Sequence, residues 1–239
     1  MSLIIAMVTN EGIVAAADTR TTSDSFQNKY TRYFDGTKKV HPVYGRAVIL
    51  NCGDNTLTSG LLINSFIEEF IRNDINPKEK IEIGYIAYSL LNKTLLTNPK
   101  ANVTYLVAGY EDGKPCRYRV ITRTKECICQ SQECGASYNG TTTNICHAIL
   151  NDCKYENLLL KNGVRLCECA LYATHMSLTY SRTMPQAVGS QFDIYIIDKY
   201  GYKTGWVIEN HEICKSMMRK QMLGIYPQNH VLTDRDNLL

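Results

Sequence analysis

The succession of hydrophobic periodicities along this chain restricts its fold more than any single motif. Two short apolar runs come first, Leu3-Ile4-Ile5-Ala6-Met7-Val8 and Gly12-Ile13-Val14-Ala15-Ala16-Ala17, joined by the hairpin turn Thr9-Asn10-Glu11-Gly12. The second run is apolar on both faces, which suits a strand inside a stacked-sheet core. Residues 21–36 are polar and aromatic and read as a long loop or ribbon. Residues 39–43 and 46–50 form another hairpin, turning at Tyr44-Gly45 and running into Asn51-Cys52-Gly53-Asp54. The period then becomes helical: Leu57, Leu61, Leu62, Phe66 and Ile67 share one face, and the polar set Glu68, Glu69, Arg72, Asn73 closes the segment. Pro77, at a first helical position, opens a second helix over residues 81–96. Residues 102–110 and 116–121 are a hairpin across Glu111-Asp112-Gly113-Lys114, and a further strand covers 127–132. Helices return over 142–154 and 164–181. Strands at 192–197 and 202–208 flank the turn Asp198-Lys199-Tyr200-Gly201, and a last helix is expected over 211–222. This order is neither βαβ alternation nor all-β. It fits helices covering both outer sides of stacked antiparallel sheets, and with no composition break or repeat it predicts one domain over residues 1–239.

Bulk properties exclude several classes. A chain of 239 residues buries about three-quarters of its unfolded surface and needs no metal or disulfide staple. The net charge of +3 comes from scattered basic residues, which argues against nucleic acid as a partner. No run approaches the ~18 apolar residues of a bilayer span, so no membrane is expected. The opening residues lack a basic n-region, and their apolar run breaks at Thr9-Asn10-Glu11-Gly12. This predicts no signal peptide, a cytoplasmic location and a mature start at or next to Met1. The ten cysteines then read as reduced thiols, several of them buried. Cys127-Ile128-Cys129 and Cys167-Glu168-Cys169 have one intervening residue where zinc knuckles have two to four, so a metal site is the weaker reading. No cofactor is called for. The Asn-x-Thr tripeptides at Asn92, Asn102 and Asn139 carry no meaning in a cytosolic protein.

Chemistry begins at the second residue. Methionine aminopeptidase removes an initiator Met before a small residue such as Ser2, leaving a free α-amine beside the Ser2 hydroxyl. Such an amine titrates near 7.7–8.0 and can accept the hydroxyl proton at neutral pH, so nucleophile and base share one residue. Ser at position two is common, and alone it says little.

Its surroundings say more. If Ser2 stands where proteasome β-type subunits and their bacterial relative, the HslV peptidase, carry an N-terminal Thr, Gly12-Ile13-Val14-Ala15-Ala16-Ala17-Asp18-Thr19-Arg20 resembles that family's second-strand motif without a gap. The motif ends in Asp-x-Arg. Lys39, opening Lys39-Val40-His41-Pro42-Val43, is similar to the family's catalytic lysine after a loop about five residues longer than usual. Gly53 falls where the family places the glycine whose N–H stabilises the oxyanion. Residues 54–71 resemble its first long helix, and residues 105–110 and 189–195 resemble its later strands. The resemblance covers most of the chain. It implies an N-terminal-nucleophile hydrolase, a four-layer αββα sandwich of α+β class, with Ser2 as nucleophile and Asp18, Arg20, Lys39 and Gly53 around it. It further implies peptide or protein substrates, a homo-oligomeric ring of identical subunits, and an ATPase unfoldase as partner.

The roles are physically coherent. A Lys39 ammonium would depress the pKa of the α-amine and hydroxyl, and Asp18 would hold it in place. The Gly53 N–H would meet charge developing on the scissile carbonyl oxygen. Each residue also has a plainer reading. Asp18 and Arg20 could form a structural ion pair at a strand end, and Gly53 could be a turn glycine leading into a helix. Lys38 competes with Lys39, because adjacent strand residues face opposite sides. The sequence also departs from the family. Ser137 in Gly135-Ala136-Ser137-Tyr138 is the nearest counterpart of a serine placed near the start of the third helix. The late Asp-x-x-Ser-Gly-Gly motif is degraded to Pro185-Gln186-Ala187-Val188-Gly189-Ser190, without its acidic residue. His41, His147, His175, His211 and His230 show no metal spacing and read as packed or surface residues. Cys52 is an ordinary strand residue in this fold, or otherwise a thiol nucleophile. The aromatic residues Tyr30 to Phe34 suit a specificity pocket, a subunit contact or a packed loop. Two other functions compete with a peptidase: a catalytically silent ring or scaffold subunit, and an amidase of the same nucleophile class acting on a small metabolite or dedicated peptide.

Overall fold

A computed structural model describes residues 2–23, 32–57, 60–131, 133–151, 153–179, 187–199 and 206–212. Strands β1 (Leu3–Val8) and β2 (Gly12–Asp18) are buried at every position. They sit inside a five-stranded antiparallel sheet of order β10-β1-β2-β11-β12, completed by β10 (Gly135–Gly140), β11 (Gln191–Asp198) and β12 (Trp206–Glu212). A second five-stranded antiparallel sheet runs in chain order through β5 (Val40–Val43), β6 (Ala47–Gly53), β7 (Val103–Glu111), β8 (Lys114–Ile121) and β9 (Glu126–Ser131). Between β2 and β5, β3 (Thr21–Ser23) and β4 (Arg32–Phe34) pair as a separate ribbon.

Side-chain alternation sorts each strand into layers. From β1, Leu3, Ile5 and Met7 pack with Val14, Ala16 and Phe192 against α3 (Thr143–Leu150) and α4 (Leu160–Thr179), which supply Cys146, Leu150, Cys167 and Leu171. Ile4, Ala6 and Val8 face the other way. With Ile13, Ala15, Ala17, Val48, Leu50 and Leu106 they fill the space between the sheets. The second sheet buries Ile49, Tyr105 and Val107 against Phe66, Ile67 and Phe70 of α1 (Ile63–Asp74) and Ile86 and Leu90 of α2 (Ile83–Thr97). Three apolar layers separate four structural ones, so the arrangement is the expected αββα sandwich. Each fully buried aliphatic side chain contributes roughly 1.5–3 kcal/mol, and strands buried on both faces cannot alternate polar and apolar residues. No helix among the described residues is long and apolar enough to cross a membrane.

The tight hairpins fall where turn chemistry put them. Asp112-Gly113 and Tyr44-Gly45 take positive φ at both central positions, the twist that suits a two-residue hairpin loop. Four expectations are corrected. Helix α1 begins at Ile63, not near residue 54. The preceding segment folds back on itself, with the Leu57 N–H donating to the Leu61 carbonyl and a bridge joining Thr56 to Leu62. Pro77 does not open α2, because Asn76 caps its own turn by accepting the Glu79 N–H on its carbonyl and the Lys78 N–H on its side chain. Ser137, the nearest counterpart of a serine placed near a helix start, lies instead in strand β10, residues 135–140. Their small and polar side chains give no apolar run, and pairing with β1 makes them a strand. His211 and Glu212 belong to β12 rather than to a helix. The rest of the helix expected to residue 222 lies outside the described residues.

Candidate active site

Asp18 ends β2, opposite Phe192 of β11, and its carboxylate is fully buried. Oδ1 accepts the Leu3 N–H at 2.8 Å. Oδ2 accepts the Lys39 ammonium at 3.0 Å, the Arg20 N–H at 3.1 Å and the Gly189 N–H at 3.3 Å. Lys39 enters β5 from the other sheet. Its side chain is 2% exposed, and its Nζ also donates to the Arg20 carbonyl. Lys38 faces away and pairs with Glu68 at 3.2 Å in solvent. Alternation therefore gives Lys39, not Lys38, to Asp18. A buried charge pair needs further hydrogen bonds around it: here three backbone N–H groups bind Asp18, and the Arg20 carbonyl accepts from Lys39.

Ser2 is 4% exposed and is held by its own backbone. Its carbonyl accepts the Thr141 N–H at 2.9 Å, and the next peptide N–H, that of Leu3, is bound by Asp18. Strand alternation puts Ser2 on the inter-sheet side with Ile4 and Ala6. Gly53 closes β6 at an exposed position with φ +118°, and an added Cβ would lie 2.2 Å from the Asn102 carbonyl oxygen. Its neighbour Cys52 ties this end of β6 to the ion pair: the buried thiol lies within electrostatic reach of Lys39 and Asp18, and Asn139 of β10 donates to its sulfur at 3.1 Å. Burial pushes the Cys52 thiol up from its ordinary value, which keeps it protonated and a poor nucleophile.

Ser137 is not brought to this cluster. It sits within β10 opposite Ala6, and not at a helix start. Ser2 and Ala6 are four residues apart along extended chain, about 13 Å at ~3.3 Å per residue. Asn139, opposite Ile4, is the β10 side chain that reaches the site. The sequence marked it only as the start of an Asn-x-Thr tripeptide.

Arg20 contributes in two ways. Its main chain touches both members of the pair, donating to Asp18 and accepting from Lys39. Its guanidinium turns outward to Asp35, with Nε to Oδ1 at 2.7 Å and Nη2 to Oδ2 at 2.6 Å, while the Tyr33 ring covers its face at 4.1 Å. The Arg20 hydrogen bonds hold the Asp35 carboxyl below the usual carboxylate range. Sequence reasoning passed over Asp35, which had no motif around it.

The remaining candidates lie elsewhere. His41 is fully buried, its Nε2 3.0 Å from Asn51 Oδ1, and burial lowers its pKa to about 4. His147 lies 3.0 Å from the Tyr138 hydroxyl, and His175 Nδ1 2.8 Å from the Val188 carbonyl. The His211 side chain and His230 fall outside the described residues, as do Tyr30 and Thr31. Tyr33 and Phe34 are exposed on β4. The described cysteines form no disulfide, and no group of three or more His, Cys, Asp or Glu among the described residues could hold a metal ion. A cleft of about 480 Å³ at the far end of the sandwich, lined by Thr9, Tyr110, Glu133, Cys134 and Lys199, contains none of the candidate residues.

No family model matches the chain, and no curated protein does. Solved structures do match it. The Gly-1 mutant of Anbu from Hyphomicrobium sp. strain MC1 superposes with a TM-score of 0.69 at 16% identity, over 94% of each chain. Anbu from Yersinia bercovieri, described as an ancestral beta-subunit, gives 0.66 at 16% identity, over 94% of this chain and 97% of that one. The fold is that of the N-terminal-nucleophile hydrolases. The expected likeness to HslV is corrected by these matches, which are to Anbu proteins. At this identity the likeness shows the fold alone.

Proposed function

We propose that this chain is a proteasome-like peptidase, a single β-subunit-like domain whose nucleophile is Ser2 once Met1 has been removed. The observation that carries the reading is the buried Lys39–Asp18 pair, bonded through Asp18 to the N–H of Leu3, the residue that follows Ser2. The Ser2 α-amine takes the hydroxyl proton as Oγ bonds to the scissile carbonyl carbon. A cation beside that amine and hydroxyl lowers the pKa of both, which keeps the amine free to accept a proton. The negative charge passing to the carbonyl oxygen is met by the Gly53 N–H. The amine then returns the proton to the leaving nitrogen as the C–N bond breaks, and water releases the acyl group from Ser2. The chemistry asks for no metal or other cofactor. Peptides or unfolded proteins are the substrate class. Copies of the chain form a closed ring that sequesters the sites in the cytoplasm, and an ATPase unfoldase would feed it folded proteins.

The test is an epoxyketone or vinyl-sulfone peptide probe followed by mass spectrometry and N-terminal sequencing. A label on Ser2, lost in Ser2→Ala, supports the reading, and a label on Cys52 ends it. Absence of any label, with Met1 retained, points to a silent scaffold subunit. A mass near 27.1 kDa by light scattering defeats the ring and favours an amidase acting on a small substrate.

A further inference from the structure

We infer that Asp35, carried in beside the site by the ribbon β3–β4, is the positioning residue for the Lys39–Asp18 pair. The inference rests on the peptidase reading above. Arg20 links the ribbon's carboxylate to the pair, and its connections are explicit. The Arg20 N–H and carbonyl contact Asp18 and Lys39 respectively, so the orientation of its two flanking peptides decides where the two charges meet. The side chain on that backbone is held by both edge and face, by the bidentate bond to Asp35 and by the Tyr33 ring. Ribbon register explains the match: Thr21 pairs with Phe34, so the next positions outward are Arg20 and Asp35. The base is closed by the Thr37 N–H donating to the Thr19 carbonyl at 2.8 Å.

A third segment leans on the same junction. The Gly189 N–H binds Asp18, and a Cβ on Gly189 would lie 3.0 Å from both Arg20 Cβ and Asp35 Oδ1. Residues 185–190 bring no acidic side chain, so the carboxylate beside Gly189 comes from the ribbon. Charge then partitions cleanly. Among the described residues, Asp35 binds the Arg20 guanidinium and Asp18 binds Lys39. With Asp35 neutralised, the Arg20 guanidinium loses its bidentate partner, and Asp18 is within its electrostatic reach. Asp18 drawn toward Arg20 leaves Lys39 misplaced.

Asp35→Asn and Asp35→Glu, in the full chain, separate this from a plain structural role. Two readouts are used: steady-state cleavage of a fluorogenic peptide, and amide hydrogen exchange at Leu3, Arg20 and Gly189, whose N–H groups bind Asp18, with Leu106 and Val107 of β7 as reference. Asp35→Asn is expected to lower kcat by about 10- to 100-fold with KM within about twofold, the cost of a misplaced catalytic group. Exchange at the three amides should quicken about tenfold while β7 is unchanged. Asp35→Glu should recover most of both. Unchanged exchange at the three amides, or exchange that quickens evenly through β7, overturns the inference. A wild-type protein without cleavage, in which Asp35→Asn still loosens only the three amides, removes the peptidase reading and leaves the positioning role standing.

Discussion

Asn in place of Asp18 keeps the shape of the side chain and changes only what its two outer atoms present. Asp18 receives four donors, the N–H groups of Leu3, Arg20 and Gly189 and the ammonium of Lys39. An amide offers one acceptor oxygen and one NH2. With the oxygen toward Leu3, the NH2 is driven at three donors, and the flipped amide orphans Leu3 instead. At 3.0 Å the two charges attract by about 5–6 kcal/mol at an effective dielectric near 20, but much of that is spent on desolvation. Removing one partner of a buried pair leaves the other uncompensated, at about 3–5 kcal/mol. Lys39 keeps the Arg20 carbonyl, which softens the loss, so about 4 kcal/mol is expected for Asp18→Asn. Lys39→Met removes the cation and leaves the carboxylate three N–H donors, for about 2 kcal/mol. The double variant strands no charge and should cost less than the sum of the two by about 2–3 kcal/mol. Urea unfolding at pH 7 and fixed protomer concentration reads all three. Both single variants should also slow probe labelling of Ser2 by roughly 10²- to 10⁴-fold. Additive costs below about 1 kcal/mol each would refute a buried, mutually dependent pair.

His41 is buried neutral, with a pKa of about 4 against 6.5 in the unfolded chain. The unfolded state therefore binds more protons between these values, and stability present above pH 6.5 falls by about 3 kcal/mol as pH drops to 4. His41→Gln should flatten that part of a urea-midpoint profile; an unchanged slope would show that another group sets it. Gly53→Ala places a Cβ against the Asn102 carbonyl at a strained φ, so it should lower thermal stability by about 2 kcal/mol or more and cut labelling of Ser2. Lys38→Ala, which breaks only the exposed bond to Glu68, should change stability by less than about 0.5 kcal/mol and leave labelling intact.

What could be read from sequence was local. The first hairpin, the tight turns at Tyr44-Gly45 and Asp112-Gly113 and the two paired helices each carry their own hydrophobic period or turn chemistry within a dozen residues. Strand β10 carries neither. Gly135-Ala136-Ser137-Tyr138-Asn139-Gly140 would be a loop by composition, and only β1 alongside makes it a strand. The start of α1 was misread for a related reason: Leu57 and Leu61 recur at helical spacing, yet Leu57 is buried in the helix-side core from a folded-back loop. Lys39 was separable from Lys38 only by its distance to Gly53, since no property of either lysine alone distinguishes them. Asp35 and Asn139 were invisible as site residues because their significance lies in what the ribbon and β10 bring them against.

The site also explains why single residues in this chain are weak signals and their juxtaposition is not. Asp18 ends a strand of one sheet, and Lys39 enters a strand of the other, so their contact exists only if the sheets stack closely. Ala15 and Ala17 of β2 and Ala6 of β1 are fully buried or nearly so in the layer between them, where larger side chains would hold the sheets apart. Small residues in that layer bring the strand ends near enough for a 3.0 Å ion pair, and the pair in turn fixes the relative position of the sheets where Ser2 enters β1. Close packing transmits small displacements instead of absorbing them, so widening this layer would separate Asp18 from Lys39 before it unfolded either sheet. Fold and candidate chemistry therefore depend on the same few ångströms between the alanine-lined face of the first sheet and Val48, Leu50 and Leu106 of the second.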